Sequence, residues 1–275
     1  MNYSELHEDK KRGTFDFPIE LYYVEPGAPR YQMPLHWHLE YELILVLQGS
    51  FTLSLDGRQM ELQAGDSAWI ADGVIHGGVP HDCIYECVVF DLGTLLQDTP
   101  VCTKSAAAFL ASENGFSGRL AKGSTEAALA DRIFDAMERE QLGYEWTTVG
   151  LLWQLLGCLL GMHSDIKPPQ SRQQITRMKN VLTYIRNNYG ELITLDELAA
   201  VAGMSPRYFC RAAALTGRTP IAYLNYYRIE CACERLTLTD KSVTEIAFAC
   251  GFNDMSYFSR VFKQLKGTTP TAYRK

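Results

Sequence analysis

Two stretches near the C-terminus say the same thing twice. "TLDELAAVAGMSPRYFCRAAALTGRTP" runs from Thr194 to Pro220 and "SVTEIAFACGFNDMSYFSRVFKQLKGTTP" from Ser242 to Pro270. Each has an apolar residue and Ala, three further residues, Gly, another apolar residue, then Tyr-Phe-x-Arg and a closing Gly-x-Thr-Pro. Ala199 and Ala247 are small enough to let one helix cross close to the next, and Gly203 and Gly251 can take the positive φ of a short helix-to-helix turn. Ser205 and Asn253 fall where an N-cap is wanted, and Pro206 fits a first helical position. Between the copies, "IAYLNYYRIECACERLTLT" sets Ile221, Leu224, Ile229 and Leu236 on a long helix able to hold both units rigidly. The pattern is helix-turn-helix, present at about 194–217 and 242–267.

Charge separates the chain in the same way. Residues 171–275 hold 15 Lys+Arg against 8 Asp+Glu, or +7; residues 1–170 hold the remaining 11 basic and 24 acidic groups, or −13. A basic half beside an acidic one implies that only the basic half meets a polyanion. Charge alone is equally compatible with two solvated surfaces of opposite sign.

From about Ile175 to Lys275 the sequence resembles the DNA-binding domain of the AraC/XylS family of transcription regulators, most specifically in "RIECACERLTLTDKSVTEIAFACGFNDMSYFSRVFKQLKGTTPTAYRK". The resemblance implies binding to double-stranded DNA, with the second helices of the two units in adjacent major grooves about one turn, or ~34 Å, apart. Carried over by position, Asn253, Met255, Ser256, Ser259 and Arg260 read bases from the second unit, and Arg207, Cys210 and Arg211 from the first. One departure stands out: Tyr208 to Pro220 is one residue shorter than Tyr257 to Pro270, and the Phe expected in the first unit is Ala213. Losing a residue turns the rest of a helix by about 100°. Leu215 is the candidate to refill the space.

The first part reads as strands from about Glu20 to Leu92. "FTLSLDG" alternates apolar and polar residues, Asp56-Gly57 suits a tight hairpin, and "DSAWI" and "YECVVFDL" follow. "PLHWHLEYELILVLQG", Pro34 to Gly49, places His36 and His38 two apart on an extended segment with Glu42 in phase. "GDSAWIADGVIH" supplies His76. Both spacings resemble the two motifs of cupin barrels, although Ala71 stands where the second motif has proline. In metal-binding cupins these four positions converge inside the barrel, so His36, His38, Glu42 and His76 are candidate ligands for Mn, Fe, Ni, Zn or Cu. In AraC-type regulators the same pattern generally lines an effector pocket without established metal chemistry, a purely structural role is the third reading, and all three stay open. Trp37, Trp69, Tyr22 and Tyr23 are the flat side chains available to a sugar or aromatic effector, Trp69 and Tyr23 foremost.

Between Ser124 and Met162 the apolar spacing changes to three and four, giving two helices, the second apolar over more than one face. A buried helix and a dimer interface explain that equally well. "HSDIKPPQSRQQ" reads as a linker.

The expected fold is multidomain: an all-β cupin-like barrel with accessory helices (1–100), a helical dimerisation segment (101–163), a linker (164–174) and an all-α DNA-binding domain (175–275). No run reaches the ~18 apolar residues of a membrane span, the first residues lack a signal-peptide core, and the eight cysteines fit reduced, mostly buried thiols. The function this implies is a cytoplasmic, homodimeric, ligand-responsive transcription regulator and not an enzyme. Its rival is a metal-dependent cupin isomerase or dioxygenase fused to a DNA-binding domain.

Overall fold

The computed structural model describes residues 8, 10, 12–28, 31–95, 116–160, 170–213 and 219–274. The chain divides into two compact units, Met1–Ile175 and Thr176–Lys275.

In the first unit, one antiparallel sheet contains β1 (Ile19–Val24), β2 (Met33–His36), β3 (Tyr41–Leu55), β4 (Arg58–Gln63), β5 (Ser67–Ile70), β6 (His76–Phe90) and β7 (Gly118–Leu120). Hydrogen bonds order it β1-β6-β3-β5-β7, with β2 added to β6 and β4 to β3. "YELILVLQG" and "FTLSL" belong to one continuous strand, β3, which pairs with β6 from Tyr41↔Phe90 to Leu55↔His76.

That pairing explains how the sheet becomes a container. The register shifts between Val46, Gln48 and Ser50. Gly49 sits in the irregularity at φ +71°, where an added Cβ would lie 2.6 Å from the His81 carbonyl oxygen and strike that of Asp82. An extra residue in a strand reverses which side chains face which side. Before the shift Glu42, Ile44 and Val46 face one side; after it Phe51, Leu53 and Leu55 face that same side, as the 4.7 Å contact of Phe51 with Tyr85, the partner of Val46, requires. Glu42 and Leu55 are 13 steps apart, or roughly 43 Å along a straight strand. Yet His76, paired with Leu55, reaches to 3.1 Å from the Glu42 carboxylate. The sheet therefore rolls over on itself, with Glu42 and His76 inside.

Its outer face is covered. After the single turn α1 (Leu92–Leu95), α2 (Thr125–Arg139) starts at Ser124, whose hydroxyl accepts the Ala127 N–H, and α3 (Tyr144–Leu159) follows. Leu129, Ile133, Phe134, Leu152 and Leu155 are buried in one cluster with Tyr41, Leu43, Trp69 and Phe90 of the sheet. Each such side chain contributes about 1.5–3 kcal/mol when fully buried.

The second unit is helical. Its elements are α4 (Gln170–Asn188), α5 (Leu195–Val201), α6 (Pro206–Ala213), α7 (Pro220–Leu238), α8 (Val243–Ala249), α9 (Met255–Lys266) and α10 (Pro270–Tyr273). Residues 170–174 of the expected linker are thus helical; 164–169 lie outside the described residues. The first helix of each repeat starts with a capping box, Thr194 with Glu197 and Ser242 with Glu245. The helix α9 is capped by Asp254, which accepts the Tyr257 N–H at 2.7 Å, and not by Asn253 as the spacing suggested. Counted from the shared tyrosine, Asp254 stands where Ser205 does in the first unit, three residues before Tyr257 as Ser205 is before Tyr208. Leu215 lies outside the described residues, as does the side chain of Ala213.

Arg228 of α7 locks the unit: its guanidinium donates to the carbonyls of Tyr189 at 2.8 Å and Glu191 at 2.6 Å, just past the end of α4. Gly251, at φ +79°, turns between α8 and α9 directly against it, and a Cβ there would meet the Tyr189 carbonyl and lie 2.7 Å from the Arg228 guanidinium. Gly251→Ala should therefore destabilise this unit by about 3 kcal/mol or more, combining left-handed strain with displacement of a buried charge. Thermal unfolding of the full chain reads this as an early transition. The same substitution at Gly203, where a Cβ meets nothing within 4 Å, should cost only the conformational part.

Candidate functional site

Inside the rolled sheet, His36, His38, Glu42 and His76 come together, each offering one ligand atom, with those atoms within 4.8 Å of one another. His36 ends β2 and pairs directly with His76 at the start of β6; His38 lies in the connection to β3, and Glu42 is the second residue of β3. The rings of His36 and His76 are 4.2 Å apart, and those of His38 and His76 4.9 Å. His38, Glu42 and His76 are buried.

The three rings are oriented alike. Nδ1 of His36 lies 2.9 Å from the Pro34 carbonyl, Nδ1 of His38 3.0 Å from that of Glu40, and Nδ1 of His76 2.8 Å from that of Val74. A carbonyl can only accept, so Nδ1 carries the proton in each ring, leaving Nε2 as the inward atom. Nε2 of both His38 and His76 lies 3.1 Å from the same Glu42 oxygen. Burial, and His76 beside it, lower the His38 pKa to about 4, so its neutral Nε2 directs a lone pair at a carboxylate. Burial also opposes the His76 imidazolium, but Glu42 outweighs it and raises that pKa. For Glu42 itself burial is outweighed by the histidines beside it, His38 and His76, so its carboxyl is held well below the usual range. A proton satisfies one side of this arrangement and leaves the other in conflict. A cation among the four groups satisfies both, and the backbone-anchored imidazole is the usual support for such a ligand. The donor set therefore fits a divalent transition metal.

Neighbours that the motif spacing did not signal complete the site. Cys87, buried on the side of the sheet that Glu42 faces, follows from strand alternation because it pairs with Ile44. Buried Arg12 joins Glu8 and Glu40, the latter at 3.3 Å, and Glu8 stands 3.9 Å from His36 Nε2. No spacing rule connects residues 8–12 to the barrel.

Two residues expected in the pocket are elsewhere. Trp69 pairs with Leu43, one residue out of phase with Glu42, and packs on Tyr41 and Phe90 on the sheet's other face. Tyr23 pairs with Glu86 on that same outer face and is 53% exposed. The alternation that brings Glu42 inward takes both outward. Tyr22, paired with Cys87, is on the histidine-facing side, and Trp37 is buried.

In the second unit, Asn253, Ser256, Ser259 and Arg260 are exposed and Met255 is half-buried. Beneath them, Phe258 and Phe262 are fully buried. Ser256, Ser259, Arg260 and Lys263 fall at helical spacing on one face of α9, so Lys263, which the motif comparison omitted, extends the row. Tyr257 ties it down: the Asn225 amide of α7 donates to its hydroxyl at 2.6 Å, and the Arg260 guanidinium lies over its ring at 5.3 Å. On α6, Arg207 and Cys210 are exposed; the Arg211 side chain lies outside the described residues. No helix among the described residues is long and apolar enough to cross a membrane.

Comparison with known proteins agrees with both halves. Residues 18–156 match the AraC-like ligand binding domain, and residues 198–275 match a helix-turn-helix domain. An uncharacterised helix-turn-helix transcriptional regulator of Bacillus subtilis, YdeC, is 27% identical over 100% of this chain and 96% of its own. The transcriptional activator RhaS of Yersinia pseudotuberculosis is 27% identical over 91% of this chain and 92% of its own. Among solved structures, the DNA-binding domain of the transcription factor AdpA, in complex with target DNA, is 35% identical over 34% of this chain and 86% of that one, with a TM-score of 0.33. With a ligand-binding domain ahead of a doubled helix-turn-helix, the chain belongs to the AraC family of ligand-responsive, DNA-binding transcription regulators.

Proposed function

We propose that the histidine cluster is the effector seat of this regulator and holds a divalent transition metal. The observation that carries this reading is the shared orientation of three imidazoles, each anchored through Nδ1 to a backbone carbonyl, with two Nε2 atoms on one Glu42 oxygen. His36, His38, Glu42 and His76 would hold the metal, which would offer open positions to an effector bearing oxygen donors, such as a sugar. The protein acts as a cytoplasmic regulator and not as a cupin enzyme, a reading supported by relatives that are themselves transcription regulators.

Base reading falls to Arg260 with Asn253, Met255, Ser256 and Ser259 on the second unit, and to Arg207, Cys210 and Arg211 on the first. Pairing of two copies falls to α3. Trp146, Gly150, Trp153, Gly157 and Leu160 recur at four and three residues, the spacing of a helix-to-helix seam. Trp146 is 86% exposed, and a Cβ on Gly150 or Gly157 would meet nothing within 4 Å. Glycine inside a helix costs about 1 kcal/mol relative to Ala. Nothing in the described residues accounts for that cost, whereas close approach of a second α3 would.

Elemental analysis of the purified protein should find near-stoichiometric divalent metal, falling at least tenfold in His76→Ala and Glu42→Gln. A metal-free protein whose melting temperature ignores added Zn, Mn, Fe, Ni or Co would exclude this seat. Effector should change operator affinity, and operator should change effector affinity by the same factor. Arg260→Ala should weaken binding to a selected operator by about 1–3 kcal/mol and relax its sequence preference, while Lys263→Ala weakens all sequences alike and lowers the salt slope by about one. Sedimentation should show dimers at micromolar concentration that Gly157→Glu converts to monomers.

A further inference from the structure

On the outer face of the sheet, away from the histidines, a groove of roughly 560 Å³ lies between β1, residues 13–17, the end of α2 and the start of α3. Among the described residues its charged lining is acidic: Glu86, Glu138 and Glu140, with Glu20 at the rim, on the same side of β1 as Tyr22. Lys10, at 4.0 Å, and the Gly13 N–H, at 3.4 Å, partly engage Glu20. The C-terminal end of α2 adds its own partial negative charge, since Glu138 is in its last turn and Glu140 is its C-cap. Phe17, Tyr23 and Tyr144 give flat walls, the first and last in edge contact at 5.6 Å.

Glu86 makes this more than an acidic surface. Paired with Tyr23 on one side and Leu45 on the other, it is only 3% exposed, and its side chain lines the groove. No hydrogen bond or ion pair joins it to any described residue. Burial, with Glu138 nearby, lifts its carboxyl to about 7. A buried carboxylate without a partner is costly, and a bound cation removes that cost. The carboxylates do not converge as metal ligands do: among the described residues the histidine cluster is the one group close enough to hold an ion. Aromatic faces beside an unpaired carboxylate suit instead an organic cation, held by charge at one end and by ring contacts along its body.

We propose that this groove binds an organic ammonium carrying a flat apolar body, with the charged head at Glu86, as a ligand site separate from the histidine cluster. Phenethylammonium is a suitable probe and 2-phenylethanol its neutral counterpart, titrated calorimetrically into the full-length protein. The ammonium should bind saturably and at least tenfold more tightly than the alcohol. Glu86→Gln, which removes a buried charge and should fold at least as well as the parent, should lose that tenfold, and Tyr23→Ala should lose severalfold. Binding of the ammonium should be the same with and without added zinc, since the groove is separate from the histidine cluster. Equal binding of ammonium and alcohol, undiminished binding by folded Glu86→Gln, or no saturable binding up to about 10 mM would each overturn the proposal. So would a lysine-rich peptide that binds where phenethylammonium does not, which would assign the groove to a protein partner.

Discussion

Glu42 is buried, and one of its carboxylate oxygens is 3.1 Å from both His38 and His76. Isolated in that interior, its charge would cost several kcal/mol. Held between two imidazoles, it joins segments that the chain otherwise keeps apart, the start of β3 and the start of β6. The roll of the sheet, the flip of phase at Gly49 and the enclosure of a polar centre in an apolar shell all meet at this carboxylate. The same contact leaves a neutral His38 lone pair facing an anion, a conflict that a cation resolves. On the reading proposed for the histidine cluster, structural and ligand-holding roles are thus carried by one group.

The DNA-binding unit depends on a different anchor, Arg228. Its guanidinium satisfies carbonyls beyond the end of α4 and lies against the turn at Gly251, so α4, α7 and the second helix-turn-helix are fixed together. Lys266 and Glu230, paired at 2.6 Å, repeat the link between α9 and α7. Rigidity here serves function, because a reading helix must present its side chains in one register for base contacts to discriminate. Tyr257 continues that logic to the surface, with its hydroxyl held by Asn225 and its ring under Arg260.

Much of this was legible in the residues. The doubled motif announced the crossing helices and their turns, because small residues, glycines and caps each have few alternatives at those places. The histidine spacing announced the cluster, since residues two apart on an extended segment share a side. Less was visible wherever phase was altered or distance along the chain was large. The expectation for Trp69 and Tyr23 failed because nothing local marks which face of a strand turns inward, and Arg12, Glu8 and Cys87 were missed because they reach the site only through folding. Asp254 and not Asn253 is the cap because it stands three residues before Tyr257, as Ser205 stands three before Tyr208, and a cap must sit that far from the N–H it accepts.

By itself, then, the sequence determined the local grammar: two helix-turn-helix units, a β-rich first part, and four residues of ligand type at the right intervals. Those follow from interactions within a few residues, whose geometry is set by backbone sterics. Tertiary structure alone decided that β3 bends and changes phase at Gly49, that Glu42 meets the histidine at the far end of its strand pair, and that Glu86 is buried facing a groove of its own sign. These depend on which distant segments pack together, and that is settled by the burial of the whole apolar shell rather than by any single stretch of residues.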